Sequence, residues 1–341
     1  MSSENEVNEA FIQITRRTQG HALQPKQLTT EEKRAILGCY YLSSCLTSSF
    51  SRMDSLRFTS HVEECSKSIA QGGEYETDAD LSCLMKLQSL VEKQRLSGLW
   101  EIVDAQYSDT HRAPVAMLVK SCQVDLQNFK NSLSNHQLFD REIIPLLLRL
   151  GQRLINQLAL FVINYYSAEI HLYEVCFKMP PTTGIEYSME SLHRMDIIYS
   201  CFESTRLFFE AFLSVPATNY CAFTIVNIGQ MFHALGALYK LSVFDVGTWD
   251  VSKVRTTLDL SSVLNQIAMG GEQAGNSWGP READNPWFFC GRKLRTLQSW
   301  WNAKLAQEAE VNASSEMAQD GTFDDLQAMI NCDFLDDNFW K

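Results

Sequence analysis

NYCAFTIVNIGQMFHALGALYKLSVF, residues Asn219–Phe244, reads as a helix that is apolar on most of its sides. At helical period, Phe223, Ile228, Phe232, Leu235 and Tyr239 form one stripe. Met231, Leu238 and Leu241 widen it, and Ile225 and Val226 extend it upstream. A helix with so little polar surface belongs inside a bundle. Gly229 and Gly236, seven apart, would let a neighbouring helix come close. The polar exceptions Asn227, Gln230 and His233 step by three and so point one way. They are a candidate small-molecule pocket. The alternative is a set of buried amide and imidazole groups bonded to one another or to backbone.

Other helices are legible on either side of this one. Thr29-x-x-Glu32 is a capping box ahead of Ile36, Leu37, Tyr40, Tyr41 and Leu42. Val62, Cys65 and Ile69 mark a second helix, stopped by Gly72-Gly73. Leu81, Leu84, Met85, Gln88 and Val91 mark a third. Pro114 suits a first turn before Met117, Leu118, Cys122, Leu126 and Phe129. A long apolar pattern runs from Leu147 to Phe177, and another covers 188–215 up to Pro216. Asp250 caps a helix expected to end at Gly270-Gly271, and 286–305 is the last core helix. Alternating β-branched runs and Asn-Gly or Asp-Gly hairpin turns are missing. The expected fold is all-α: a bundle of about nine helices over 29–305, an N-terminal arm over 1–28, and a tail over 306–341.

The chain has 341 residues and a net charge of −12. The 306–341 segment holds nine acids against one base, so −8 of that charge lies there and −4 on the first 305 residues. So small a charge, of the wrong sign, gives no pull toward phosphate backbones, and direct DNA binding is not expected from this chain. Ten scattered cysteines, none in a C-x-x-C pair, read as reduced buried thiols and not as a disulfide framework or zinc site. The polar start MSSENEVNEA is unlike a secretory signal, and no apolar run approaches the ~18–20 residues that cross a bilayer. Asn312-Ala313-Ser314 fits a glycosylation sequon by chance. The Arg292, Lys293 and Arg295 cluster reads as a solvated face.

The tail combines a polar stretch with FDDLQAMINCDFLDDNFWK. Its five aspartates keep Phe323, Leu326, Phe334, Leu335, Phe339 and Trp340 in water until a partner groove accepts them. Phe323, Leu326 and Ile330 fall on one side of a short helix that a partner could induce. These residues are the candidate coactivator-binding set. The alternative is a final helix docked on its own bundle.

No Gly-rich phosphate loop, H-E-x-x-H, G-x-S-x-G or kinase set occurs. The Asp324-Asp325 and Asp336-Asp337 pairs lie in the tail and not on a core helix, where a terpene-synthase-like metal site would need them. His61, His171, His193 and His233 stand apart in sequence and read as structural. No catalytic residue, cofactor or metal ligand is assigned, and an all-α enzyme is the least favoured class.

Five segments share a further pattern: Glu31–Ala70, with its helix, Ser-rich stop and Glu-Cys pair; INYYSAEIHLYEV at 163–175; Ala222–Leu264, with LYKLSVFD, Trp249 and TLDL; SWWNAKL at 299–305; and DFLDDNFWK at the end. In this order they resemble the regulatory region of fungal zinc binuclear-cluster transcription factors over roughly 29–341. The resemblance implies a nuclear transcription regulator with a cytoplasmic pool that controls a secondary-metabolite gene cluster. It also implies recruitment of coactivators through the tail, homo- or heterodimers with related factors, or a small-molecule ligand. The family's six-cysteine zinc block has no counterpart, since the first cysteine, Cys39, already lies in a bundle helix. Metal and DNA binding are therefore carried over to no residue. A dominant-negative partner of related factors is the alternative role.

Overall fold

A computed structural model describes residues 28–50, 56–75, 77–99, 112–133, 152–179, 189–244, 249–277 and 286–314. Among them are nine long helices, two short ones and one 3₁₀ turn, with no strand. We label the helices α1 (Thr30–Phe50), α2 (Ser60–Gly72), α3 (Thr77–Leu96), α4 (Arg112–Leu133), α5 (Gln152–Tyr173) and α6 (Val175–Lys178). The remainder are α7 (Met189–Ser214), α8 (Ile225–Val243), α9 (Val251–Thr257), α10 (Leu260–Ser277) and α11 (Pro286–Ser314), with the 3₁₀ turn at Ala217–Ala222. None of the described helices is long and apolar enough to cross a membrane.

Helix α8 is the strut. Fifteen of its nineteen residues are buried, which requires neighbours on every side. It packs against α1, α5, α7, α9 and α10. Its ends are closed by side chains. At the start, Asn227 Oδ1 accepts the backbone N–H of Thr224 at 3.0 Å, the reciprocal arm of a capping box. At the end, Trp249 Nε1 donates to the Leu241 carbonyl at 3.0 Å and Arg255 Nε to the Ser242 carbonyl at 2.9 Å. Both carbonyls belong to the last turn, where no backbone donor is left for them. Arg255 also reaches Glu308 of α11 at 2.9 Å and lies over the Trp301 ring. One guanidinium thus ties the exit of α8 to the final helix.

Most buried side chains form one continuous core around α5, α7, α8, α10 and α11. A smaller cluster of Leu37, Tyr40, Val62, Cys65, Ile69 and Met85 joins α1, α2 and α3. The Thr29–Glu32 capping box forms, with contacts of 2.8 and 3.2 Å. Gly73 ends α2 in the left-handed region at φ 57°, a conformation that costs glycine nothing. Of the described cysteines, Cys45, Cys65, Cys122, Cys176, Cys201 and Cys290 are buried thiols, Cys83 is half-buried and Cys39 is exposed.

Five boundaries differ from the sequence expectation. The 219–244 stretch is not one helix: residues 217–222 form the 3₁₀ turn, Phe223 is extended, and α8 starts only at Ile225 behind the Thr224 cap. The helix expected from Asp250 onward breaks at Leu258–Asp259, because Asp259 accepts the N–H groups of Ser261 (3.3 Å) and Ser262 (2.8 Å) and so starts α10 afresh. Gly270-Gly271 does not stop α10, which continues to Ser277. A Cβ at 270 would sit 2.6 Å from Tyr220 Cε2, so the glycine admits an aromatic ring instead of ending a helix. The last helix continues past 305 to Ser314, through the first acids of the tail. The pattern running to Phe177 is interrupted at Glu174, between α5 and α6. Arg295, expected on a solvated face, bonds Asn265 and Glu272 of α10.

Candidate functional site

The polar residues of α8 face α5. Gln230, His233 and Lys240 lie at intervals of three and seven, which puts them on one side of the helix. Asn164, on the facing side of α5, organises the upper part. Its Oδ1 accepts Tyr41 Oη at 2.7 Å and Gln230 Nε2 at 2.9 Å, and its Nδ2 donates to the Leu160 carbonyl at 2.7 Å. Gln230 Oε1 accepts Asn227 Nδ2 at 3.4 Å. Three helices, α1, α5 and α8, are thereby joined through one buried amide.

The lower part is charged. Glu174, buried at the break between α5 and α6, splits its two oxygens between two side chains of α8. Oε2 meets His233 Nε2 at 2.7 Å, and Oε1 meets Lys240 Nζ at 3.3 Å. Burial would raise the Glu174 pKa, but the charges of His233 and Lys240 outweigh it and hold this carboxyl well below the usual range. His171 lies one turn before Glu174, with its ring centroid 5.8 Å from that of His233. Burial first, then the neighbouring charge of His233, pushes the His171 pKa down to about 4. Between the two parts is a cavity of about 20 Å³ lined by Cys45, Ser48, Ser167, His171, Gln230 and His233, among others. That is room for one water with several polar partners. That volume is far below the ~300–1,000 Å³ of a typical ligand pocket.

Of the expected trio, Gln230 and His233 line the cavity together, and Asn227 is bonded to Gln230 but does not line it. Asn227 serves the start of α8, Gln230 joins the Asn164 network, and His233 turns to Glu174. His171 and His233, far apart in sequence, are neighbours. Sequence reasoning passed over Glu174 and Asn164. The signal available for Glu174 was a His-x-x-Glu spacing at 171–174, and nothing in the sequence couples it to residue 233. The tail residues Phe323, Leu326, Phe334, Leu335, Phe339 and Trp340 lie outside the described residues.

Comparison with known proteins starts from the C-terminal half. The family model ATEG07667_C, a C-terminal domain, matches residues 217–341, from the 3₁₀ turn before α8 through the tail. Transcription factor opdL of Penicillium oxalicum (strain 114-2 / CGMCC 5302) is 26% identical over 314 residues, covering 89% of this chain and 50% of its own length. The chain is thus similar to a protein named as a fungal transcription factor. Transcription factor himD of Aspergillus japonicus is 20% identical over 275 residues, 80% of this chain and 42% of its own length. The chain spans about half the length of these curated relatives or less. No solved structure matches.

Proposed function

We propose that this chain is a transcription regulator of the nucleus, with a cytoplasmic pool, and not an enzyme. The observation that carries the reading is the similarity to opdL, a protein named as a transcription factor, which extends over 89% of this chain. In this reading the helices set activity and the acidic-aromatic segment recruits coactivators through Phe323, Leu326, Phe334, Leu335, Phe339 and Trp340. Composition supports that role, since aspartates interleaved with large apolar side chains stay solvated until a groove buries the rings. The charge of the body gives no drive toward DNA, so targeting falls to a partner of the related factors or to a DNA reader outside this sequence. Control of a secondary-metabolite gene cluster is the expected setting.

The test is a tethered reporter. The full chain fused to a heterologous DNA-binding domain should activate transcription, and the double substitution Phe334→Ala/Trp340→Ala should abolish activation at equal protein level. Full activity in the double variant would refute aromatic recruitment. No activity in the parent fusion would refute the activator reading itself.

A further inference from the structure

We propose that His171, Glu174 and His233 form a binding site for one divalent transition-metal ion of the zinc class, completed by a water in the adjoining cavity. Two imidazoles and a carboxylate are a donor set that suits zinc, cobalt or nickel better than calcium or magnesium, which favour oxygen alone. One ligand atom from each of the three residues lies within 4.8 Å of the others. The set is assembled from two directions: His171 and Glu174 come from α5 and its terminal break, and His233 from α8. His171 and His233 also line the water-sized cavity, so a fourth ligand has a place on the side the protein leaves open. Three protein ligands plus a water is the arrangement of an accessible zinc centre.

The movements required are small. Donors around a tetrahedral zinc at bonds of ~2.0 Å stand about 3.3 Å apart. His233 Nε2 and Glu174 Oε2 are now 2.7 Å apart at hydrogen-bond contact, so they must separate by roughly half an ångström as the ion takes the place of the shared proton. The third donor must close from at most 4.8 Å. Lys240 keeps its contact with Glu174 Oε1 at 3.3 Å and orients the carboxylate from outside the metal shell. An ion here would bind α5 to α8 at the centre of the body. The proposal does not depend on the transcriptional reading.

The test uses the full chain, purified in chelator and titrated with Co(II). The expected result is one equivalent bound with visible d–d bands and no thiolate charge-transfer band, displaced by Zn(II). His171→Ala, Glu174→Gln and His233→Ala should each weaken zinc at least about 100-fold, and Lys240→Met about 10-fold, as a loss outside the metal shell does. Circular dichroism shows whether each variant is folded. X-ray absorption of the zinc-loaded parent gives an answer without any variant: nitrogen and oxygen neighbours with imidazole scattering are expected. A sulfur shell, no metal retained by the parent, or unchanged affinity in folded His233→Ala would each overturn the proposal.

Discussion

Replacing Gly270 with alanine should destabilise the body, although alanine is the better helix former. Propensity alone favours the change by about 1 kcal/mol. Against it stands the Tyr220 ring, with Cε2 2.6 Å, Cζ 3.0 Å and Oη 3.1 Å from the new Cβ. Carbon atoms rest about 3.5–4.0 Å apart, so the ring must withdraw by roughly 1 Å. It has little freedom to do so. Its centroid lies 4.9 Å from that of Trp287, 5.2 Å from Phe223 and 5.6 Å from Phe212. The Tyr220 carbonyl is in turn held by Trp287 Nε1 at 2.7 Å. Overpacking of a fixed core costs about 1–3 kcal/mol, which leaves a net loss of up to about 2 kcal/mol after the propensity gain. Gly38→Ala is the matched control. It also lies within a helix, but its Cβ would meet nothing within 4 Å, so it should gain about 0.5–1 kcal/mol. Urea unfolding followed by circular dichroism should lower the midpoint for the first variant and raise it for the second, with unchanged slopes. Equal or greater stability in Gly270→Ala than in Gly38→Ala would refute the argument that the glycine is there to admit the ring.

Two further outcomes follow from the polar centre. Asn164→Leu leaves Tyr41 Oη and Gln230 Nε2 without their acceptor and should cost about 2–4 kcal/mol, while Asn164→Leu/Gln230→Leu should lose less than the sum of its single changes, measured by the same unfolding assay. In metal-free protein, acid should weaken the fold. His171 faces His233, Glu174, Lys240 and Arg95, and its native pKa of about 4 lies below the unfolded value of ~6.5. The unfolded chain therefore binds the extra proton between those values, and stability falls as pH drops from about 6.5 to about 4, by at most ~3 kcal/mol. Glu174, held below its unfolded value, adds a loss of the same sign once pH falls below the ordinary carboxylate range. His171→Asn should flatten the upper part of the profile, and a parent profile that is flat from pH 6.5 to 4 would contradict the shift.

What could be read from the sequence divides by range. The α8 core, the Thr29–Glu32 box and the Gly73 stop depend on side chains within one or two turns, and local periodicity carries that information. Gly270 depends on Tyr220, fifty residues away in sequence, so a glycine that admits a ring looks the same as one that ends a helix. Asp259 was hidden for another reason. The run on both sides is helical, and only the Asp-Leu-Ser-Ser order hints that a side chain competes with the backbone there. Glu174 reads as an ordinary acid in an apolar stretch, and its meaning comes entirely from His233 and Lys240 on another helix. The family resemblance lay in the order of several weak segments, and those segments include the α8 region that the C-terminal domain model covers.

Amide hydrogen exchange puts the buried position of α8 to the sharpest test. If this helix is the strut on which α1, α5, α7, α9 and α10 are assembled, its amides from Ile228 to Leu241 should open only on global unfolding and be among the last in the chain to exchange. Those of α2, in the small outer cluster, should exchange sooner. Exchange from α8 as fast as from α2 would contradict the architecture from which the polar centre was derived.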